Sequence, residues 1–482
     1  MTKILKKKSI YITLIITLAF IILTNVIYQI KMNWDSDYLD NEIAFYEEQL
    51  KELNPKLASD KEQYVDAKSN LEMDQLLKQY GGTNTWQGEI IRTKIYSYIY
   101  TLNCHEYGVG EVALEEFTQA KQTYEKMLEQ LKNDDWKAFA MADRQEITIQ
   151  LKQAKEELAQ AKSVNAEKKV IESLEEQVKT LETSKQVAEW RIEKNISYDS
   201  GYLNDALSVY ESGSSQIRNY EKENDQKEYN EKLQYYQTLK DVNIAKYDIE
   251  HETTSGKAND GRGVLLRTFD EYEIFIIIMI VMIAGSIVSE EFSKGTIKLL
   301  LIKPYKRTTI LTAKFITCII MLLIVILLVM GMQFVVGGII TGFDKYQTPA
   351  VVYNYNTHQI QEMSLISYLA QLTVAKLPIY ILLMTLAFAL STLFNHTALS
   401  ITIALLGYMG SSIINMLAIQ FKLQFLKFFV TPNWDLSQYL FGNIPQFQYI
   451  SLSLSIGVCI AYFIIMLIPT YMVFKKKNIK NI

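Results

Sequence analysis

Residues Ser289–Lys314 read SEEFSKGTIKLLLIKPYKRTTILTAK and lie between two strongly apolar stretches. This stretch carries Lys294, Lys298, Lys303, Lys306, Arg307 and Lys314 against only Glu290 and Glu291. Short loops rich in Lys and Arg stay on the cytoplasmic side of a membrane, so the stretch fixes an orientation for whatever apolar helices flank it.

Working outward, six segments approach the roughly 20 helical residues that a bilayer core of about 30 Å requires. They are Ile10–Ile30, about Ile274–Val288, Ile310–Ile340, a span within Leu365–Phe394, Ala398–Ile419 and Ile450–Phe474. The first is preceded by Lys3, Lys6, Lys7 and Lys8 and has an apolar run too long for a signal core. IYQIKMNWD after it offers no small-residue cleavage site, so it reads as an uncleaved anchor. The other basic clusters are this N-terminal tract and the tail KKKNIKNI, whereas loops 342–364 and 420–449 hold one and two lysines. Six spans place both termini on one side, and every basic cluster puts that side in the cytoplasm.

The near-zero mean hydropathy therefore conceals two populations. Residues 31–271 contain 31 Lys/Arg and 47 Asp/Glu, a net charge of −16, while the remainder carries +12. The expected organisation is an all-α membrane protein: residues 1–30 as cytoplasmic N-terminus and first span, 31–271 as an extracellular helical domain, and 272–482 as five further spans. The setting is a bacterial plasma membrane, with the lipid bilayer as a partner and no nucleic acid. Cys104, Cys318 and Cys459 cannot build a disulfide framework.

Within 31–271 the apolar residues Ile147, Leu151, Ala154, Leu158 and Ala161 repeat at helical spacing, as do Ile171, Leu174, Val178, Leu181, Ala188 and Ile192. That stripe is the pattern of coiled coils and long helical hairpins, with Ser163–Glu167 as a turn or stutter between the two runs. A long helix is expected from about Asp37 to Gln79, ended by Gly81-Gly82, then an aromatic section that forms a small head. AEWRIEKNIS (188–197) and AKYDIEHETT (245–254) share residues in register. His105 and His251 are isolated and give no metal spacing.

The opening stretch has more than charge. Glu290 and Lys294 are placed for an i, i+4 pair, Gly295 permits a bend, and Thr296–Ile302 reads as a helix along the membrane surface. Pro304 ends it, Arg307 marks the interface, and Thr308-Thr309 are placed to cap the next span. The run Glu291, Gly295-Thr296, Leu299-Leu300, Pro304, Arg307, Ile310 and Lys314 resembles the permease subunits of ABC-2 type ATP-binding cassette transporters. Further likeness lies in ALSTLFNHTALSI (389–401) at a short inner turn and in the long 420–449 loop before the last span. That loop often re-enters the membrane in the family.

The resemblance implies a coupling helix built on Glu290, Glu291, Gly295, Thr296, Lys298, Leu299, Pro304 and Arg307, docking on a separate ATPase subunit. It further implies pairing with a second permease copy or paralogue. No G-x-x-x-x-G-K-[ST] occurs in the chain, so ATP and magnesium are expected in the partner, with no cofactor, metal or catalytic site here. The large acidic block departs from simple family members and leaves the substrate open. An alternative is an ATPase-independent envelope scaffold or receptor with an ABC-2-like membrane domain.

Lys376 and Glu273 are the ionisable candidates near the membrane. Pro378 follows Lys376, and Leu377–Phe394 alone nearly crosses a bilayer, so the lysine is expected at the outer interface with its amine reaching water. Ala284-Gly285-Ser286, Gly337-Gly338 and Gly407/Gly410 are expected helix-packing positions.

Overall fold

The apolar segments form helices α1 (Lys8–Gln29), α2 (Glu273–Ile287), α3 (Arg307–Thr341), α4 (Leu365–Phe394), α5 (Thr397–Gln420) and α6 (Leu452–Lys476). A computed structural model describes residues 7–29, 34–222, 228–255, 260–297, 305–355, 357–394 and 396–477. The chain divides into two units. A membrane unit comprises Met1–Ile30, Asn224–Lys240 and Ser255–Ile482, and a helical unit comprises Lys31–Glu223 and Asp241–Thr254. The division falls within the helix Tyr229–His251.

All the α-helices named above except α2 are long and apolar enough to cross a membrane, making this a multi-pass, mostly helical membrane protein. α2 has 15 residues, about 22 Å of helix. Short helices Thr268–Glu271 and Ser289–Ser293 adjoin it and lengthen the helical path. α2 is apolar on every side, and ten of its residues are buried, which is how a central helix differs from a one-faced surface helix. It packs against α1, α3, α4 and α5. Gly285 permits the approach of α5, since a Cβ there would lie 2.8 Å from Ile401 Cγ1.

The helix directions alternate, as hydrogen bonds at one end of the bundle reveal. Lys7 Nζ before α1 donates to Ser286 Oγ at the end of α2 (2.6 Å). Lys314 Nζ, early in α3, donates to Ile287 O (2.6 Å). Arg307 Nη1 donates to Lys477 O at the end of α6 (2.7 Å), and Lys477 Nζ to Thr392 O at the end of α4 (2.6 Å). Ser289 Oγ meets Thr397 Oγ1 at the start of α5 (2.7 Å). Toward the other end, buried Asn25 of α1 donates through Nδ2 to Gln333 Oε1 of α3 (3.0 Å), an interhelical amide bond of the kind that holds apolar helices in lipid.

Several details depart from expectation. Between α3 and α4, β1 (Ala350–Asn354) pairs antiparallel with β2 (Gln359–Met363), a small addition to the all-α reading. Helix α3 starts at Arg307 with Lys306 as its N-cap, so Thr308 and Thr309 lie inside the first turn and cap nothing. Gly337 does serve packing: a Cβ there would come 2.8 Å from Gly261 Cα. Among the described residues, a Cβ at Gly407 would make only an ordinary contact with Leu386 (3.8 Å) and one at Gly410 would meet nothing within 4 Å, so neither position requires glycine for close approach.

In the helical unit, the expected single helix over 37–79 is two, Trp34–Glu52 and Lys61–Gln79, packed together. Asn54-Pro55 breaks it, because Pro disfavours helix for the residue before it and Asn favours turns. Asn54 Oδ1 accepts from Lys56 N–H (3.0 Å), an Asx-type turn. Lys78 bonds to Asp40 across the pair. The aromatic section becomes Trp86–Ile90, a π turn at Ile91–Ile95 and helix Tyr96–Tyr107. Trp86, Ile90, Ile91, Ile95 and Ile99 form a core with Leu39, Leu77, Leu131 and Phe139.

The two periodic runs form helices Trp136–Ser163 and Lys168–Glu193. They pack as a hairpin through Leu151, Ala154 and Val178, flanked by Lys155–Glu182 and Lys162–Glu175 ion pairs (both 2.7 Å). Ser163–Glu167 is therefore a turn, with Asn165 at φ 49°. The apparent repeat is a shared helix ending. Asn195 and Glu252 both take φ 54°, followed by Ile196 N–H→Arg191 O (2.9 Å) and Thr253 N–H→Asp248 O (3.0 Å). These are the bonds of a Schellman-type C-terminus.

Candidate functional site

Two polar assemblies sit at opposite ends of α2. At its C-terminal end, the backbone carbonyls of α2, α4 and α6 have no partner in their own helices. Cations from neighbouring helices supply one each: Lys314 to α2, Lys477 to α4 and Arg307 to α6. A cation on a helix C-terminus is further favoured by the helix dipole. Burial lowers the pKa of the Lys477 ammonium, which also lies 4.7 Å over the Phe292 ring.

The expected coupling residues enter this frame. Ser289, fully buried, donates its N–H to Ser391 Oγ of α4 (2.9 Å). Glu290 pairs with Lys7 at 2.8 Å and only at 3.7 Å with Lys294. The expected i, i+4 pair is thus the longer contact; Lys7, just before α1, is the less exposed partner. Glu291, 9% exposed, accepts from the Thr296 hydroxyl and lies 3.6 Å from Lys314. Gly295 takes φ +67°, left-handed backbone that suits glycine, with no described residue within 4 Å of where a Cβ would be.

Glu290, Glu291, Thr296 and Arg307 therefore hold helix ends together. Among the described residues around them, Ser293, Lys294, Gly295, Tyr305, Lys306 and Thr309 are exposed. Lys298, Leu299 and Pro304, with the surface helix expected over 296–302 from Lys298 onward, lie outside the described residues.

At the other end, Glu273 opens α2 and faces Lys376 of α4. Lys376 is 6% exposed. Its Nζ donates to Asp435 Oδ2 (2.7 Å) and lies 3.4 Å from Glu273 Oε1. The amine does not reach water as expected: α4 starts at Leu365, eleven residues before Lys376, and the side chain is buried among its partners. Tyr380 OH donates to Glu273 Oε1 (3.2 Å) and Tyr408 OH to Oε2 (3.4 Å). Asp435 is aimed by Ser437, whose N–H (3.0 Å) and hydroxyl (2.6 Å) both bond Oδ1, leaving Oδ2 for the lysine. A buried ion pair needs this completeness, since each charge loses water.

Asp435 comes from the 420–451 loop, whose regular pieces are two short 3₁₀ turns, Gln424–Phe428 and Leu436–Tyr439. Asn433, fully buried, folds the loop: its Nδ2 donates to Lys427 O and Phe429 O (2.7 Å each), and its Oδ1 accepts from Ser455 Oγ of α6 (2.7 Å). Trp434 inserts into the main apolar core.

Beside the charges lies a cavity of about 690 Å³, within the size range of small-molecule sites. Glu273, Tyr408 and Asp435 line it, with Asn415 of α5, Thr431, and a wall from Asn230 to Thr238. That wall is anchored by Tyr229 OH→Pro445 O (2.6 Å) and Lys240 Nζ→Asn443 Oδ1 (2.6 Å). Asn415 Oδ1 and Thr431 Oγ1 are buried without a hydrogen-bond partner among the described residues.

Sequence reasoning named Lys376 and Glu273 but missed Asp435, Tyr380, Tyr408 and the cavity. One signal was available: Asp435 is the sole carboxylate between residues 363 and 482, and a membrane lysine calls for a counter-charge.

Residues 244–480 match DUF2705, a family described as proteins of unknown function. The chain is 28% identical over 243 residues to the uncharacterized protein YhcI of Bacillus subtilis (strain 168), covering 50% of this chain and 76% of that protein. It is 26% identical over 200 residues to the uncharacterized membrane protein YdbK of the same organism, covering 42% and 76%. No solved structure matches the chain.

Proposed function

We propose that the chain is the permease subunit of an ATP-driven ABC-2 type exporter, working with a second permease and a separate ATPase. α2 completes six spans, both termini are cytoplasmic, and residues 31–271 are extracellular. The observation that carries the reading is the position of α2. One buried helix has the Glu290–Glu291 segment paired with Lys7 before α1 and with Lys314 of α3 at its end, and Glu273 at the cavity at its start. Force applied at the cytoplasmic segment would reach the cavity through that helix, as alternating access requires.

The exposed residues, rather than the clamped ones, are the docking surface. In chain purified from its own host in mild detergent, an ATPase carrying a phosphate-binding loop is expected to co-purify. Lys294→Glu with Tyr305→Asp is expected to abolish that association without changing thermal stability, because both side chains face solvent. Absence of any ATPase with the unaltered chain, or equal recovery with the double variant, would sink the coupling reading.

Orientation has its own test. Ser163 is exposed at the hairpin turn, while Cys104 is buried. Ser163→Cys is expected to react with a membrane-impermeant thiol reagent on intact cells, to the level of an established surface cysteine. Labelling only after lysis would reverse the topology.

A further inference from the structure

We propose that residues 229–240 are a lid on the cavity beside Lys376, shut by polar clasps and opened by local detachment of their helix. The inference needs neither an ATPase nor an identified substrate, so it stands or falls apart from the exporter reading.

The walls of the cavity are unequal. Ile379 of α4, Ala418 of α5, and Trp434 and Phe447 of the 420–451 loop line it, and all four are buried in hydrophobic cores. Another wall, from Asn230 to Thr238, comes from the first half of the helix Tyr229–His251. No residue from Tyr229 to Lys240 is buried. In the second half, Val242, Ala245, Asp248 and Ile249 are. The membrane unit ends between the two halves, after Lys240. The first half can therefore fray from its seat without exposing the buried residues of the second.

Polar clasps fasten this wall at its ends and middle. Tyr229 OH donates to Pro445 O and Lys240 Nζ to Asn443 Oδ1, at 2.6 Å each. Tyr355 OH, just after β1, donates to Tyr236 O (2.8 Å). Lys422 Nζ lies 2.9 Å from Glu228 Oε1, and both of those side chains are more than half exposed. Pro445, Asn443 and Lys422 belong to the loop that also presents Asp435 to the cavity, so lid and loop are fastened to each other. Segments with few buried apolar residues and water-exposed bonds are the ones that open at low cost. An exposed ion pair adds little to hold them. A wall built for strength would share the cores behind Ile379 and Ala418; this one is built to release.

The test follows the reaction of a cavity cysteine with a small thiol reagent, using the full-length chain in detergent. Ser411 of α5 lines the cavity and is 6% exposed, so Ser411→Cys is expected to react as the lid opens. Tyr229→Phe with Lys240→Ala removes two clasps and is expected to raise that rate about tenfold or more, because the rate follows the open fraction. Lys422→Glu turns the ion pair into a repulsion and is expected to raise it several-fold, with Glu228→Lys in the same chain restoring the original rate. Cys459, buried in the main core, reports general loosening and is expected to stay unreactive throughout. Hydrogen exchange in the chain with its natural Ser411 gives a second reading. The amides of residues 232–240 are expected to exchange at least about tenfold faster than those of 242–251, and faster again in the clasp variants. Equal exchange along the whole helix, a Ser411→Cys rate indifferent to the clasp changes, no rescue by the charge swap, or Cys459 reacting in step with Ser411→Cys overturns the proposal.

Discussion

Lys376→Met is expected to destabilise the membrane unit by about 3 kcal/mol, the lower part of the range for removing one partner of a buried ion pair. The methionine fills most of the lysine's volume, so little of the effect is a packing defect. What remains is electrostatic: Glu273 and Asp435 lose the ammonium that lay 3.4 and 2.7 Å away. Glu273 keeps its bonds from Tyr380 and Tyr408, and Asp435 keeps those from Ser437. Asp435, at 34% side-chain exposure, also recovers some hydration, which is why the lower figure is chosen. The measurement is thermal unfolding of the detergent-purified chain. Adding Glu273→Gln and Asp435→Asn to Lys376→Met is expected to restore most of the loss, because a neutral, hydrogen-bonded cluster has no uncompensated charge. Failure of the triple variant to recover, with Lys376→Met itself near wild type, would mean the three residues do not form one charge cluster.

That cluster marks the boundary of what the sequence made legible. Long apolar runs specify membrane helices through local composition, and the stripes around Leu151 and Val178 specify a hairpin through periodicity; both signals are contained within the segments themselves. The misread helix over 37–79 failed for a local reason as well, since Asn54-Pro55 was a written stop. Asp435 is different. Its role depends on a 59-residue separation from Lys376 and on a loop with no periodic pattern, so only charge accounting over the whole membrane region could have paired them. The basic stretch at 289–314 shows the converse limit. Its basic residues were read together as an orientation signal, with Arg307 as an interface marker, whereas Lys314 and Arg307 act as caps on carbonyls of α2 and α6. A cap provided by another helix leaves no trace in local spacing.

Trp434→Ala is expected to be the most damaging single change in the 420–451 loop, costing about 3–5 kcal/mol as for other buried aromatics truncated to alanine. The loop has no regular element longer than five residues, so it lacks the distributed backbone bonding that would let a helix tolerate one lost side chain. Trp434 in the main core, at 6% exposure, works beside the bonds that tie the loop to the helices, among them Asn433 to Ser455, Thr431 to Asn415, Tyr439 to Ser455 and Asp435 to Lys376. Trp434 and Asp435 are adjacent in sequence, and the first fixes where the second can reach. Their effects are therefore expected to be coupled: in a cycle of Trp434→Ala and Asp435→Asn, the double variant should lose less than the sum of the singles by about 1 kcal/mol or more. Strict additivity would show that Lys376 holds Asp435 independently of the indole. A Trp434→Ala change within about 0.5 kcal/mol of wild type, the size typical of surface substitutions, would show that the indole does not hold the loop at all.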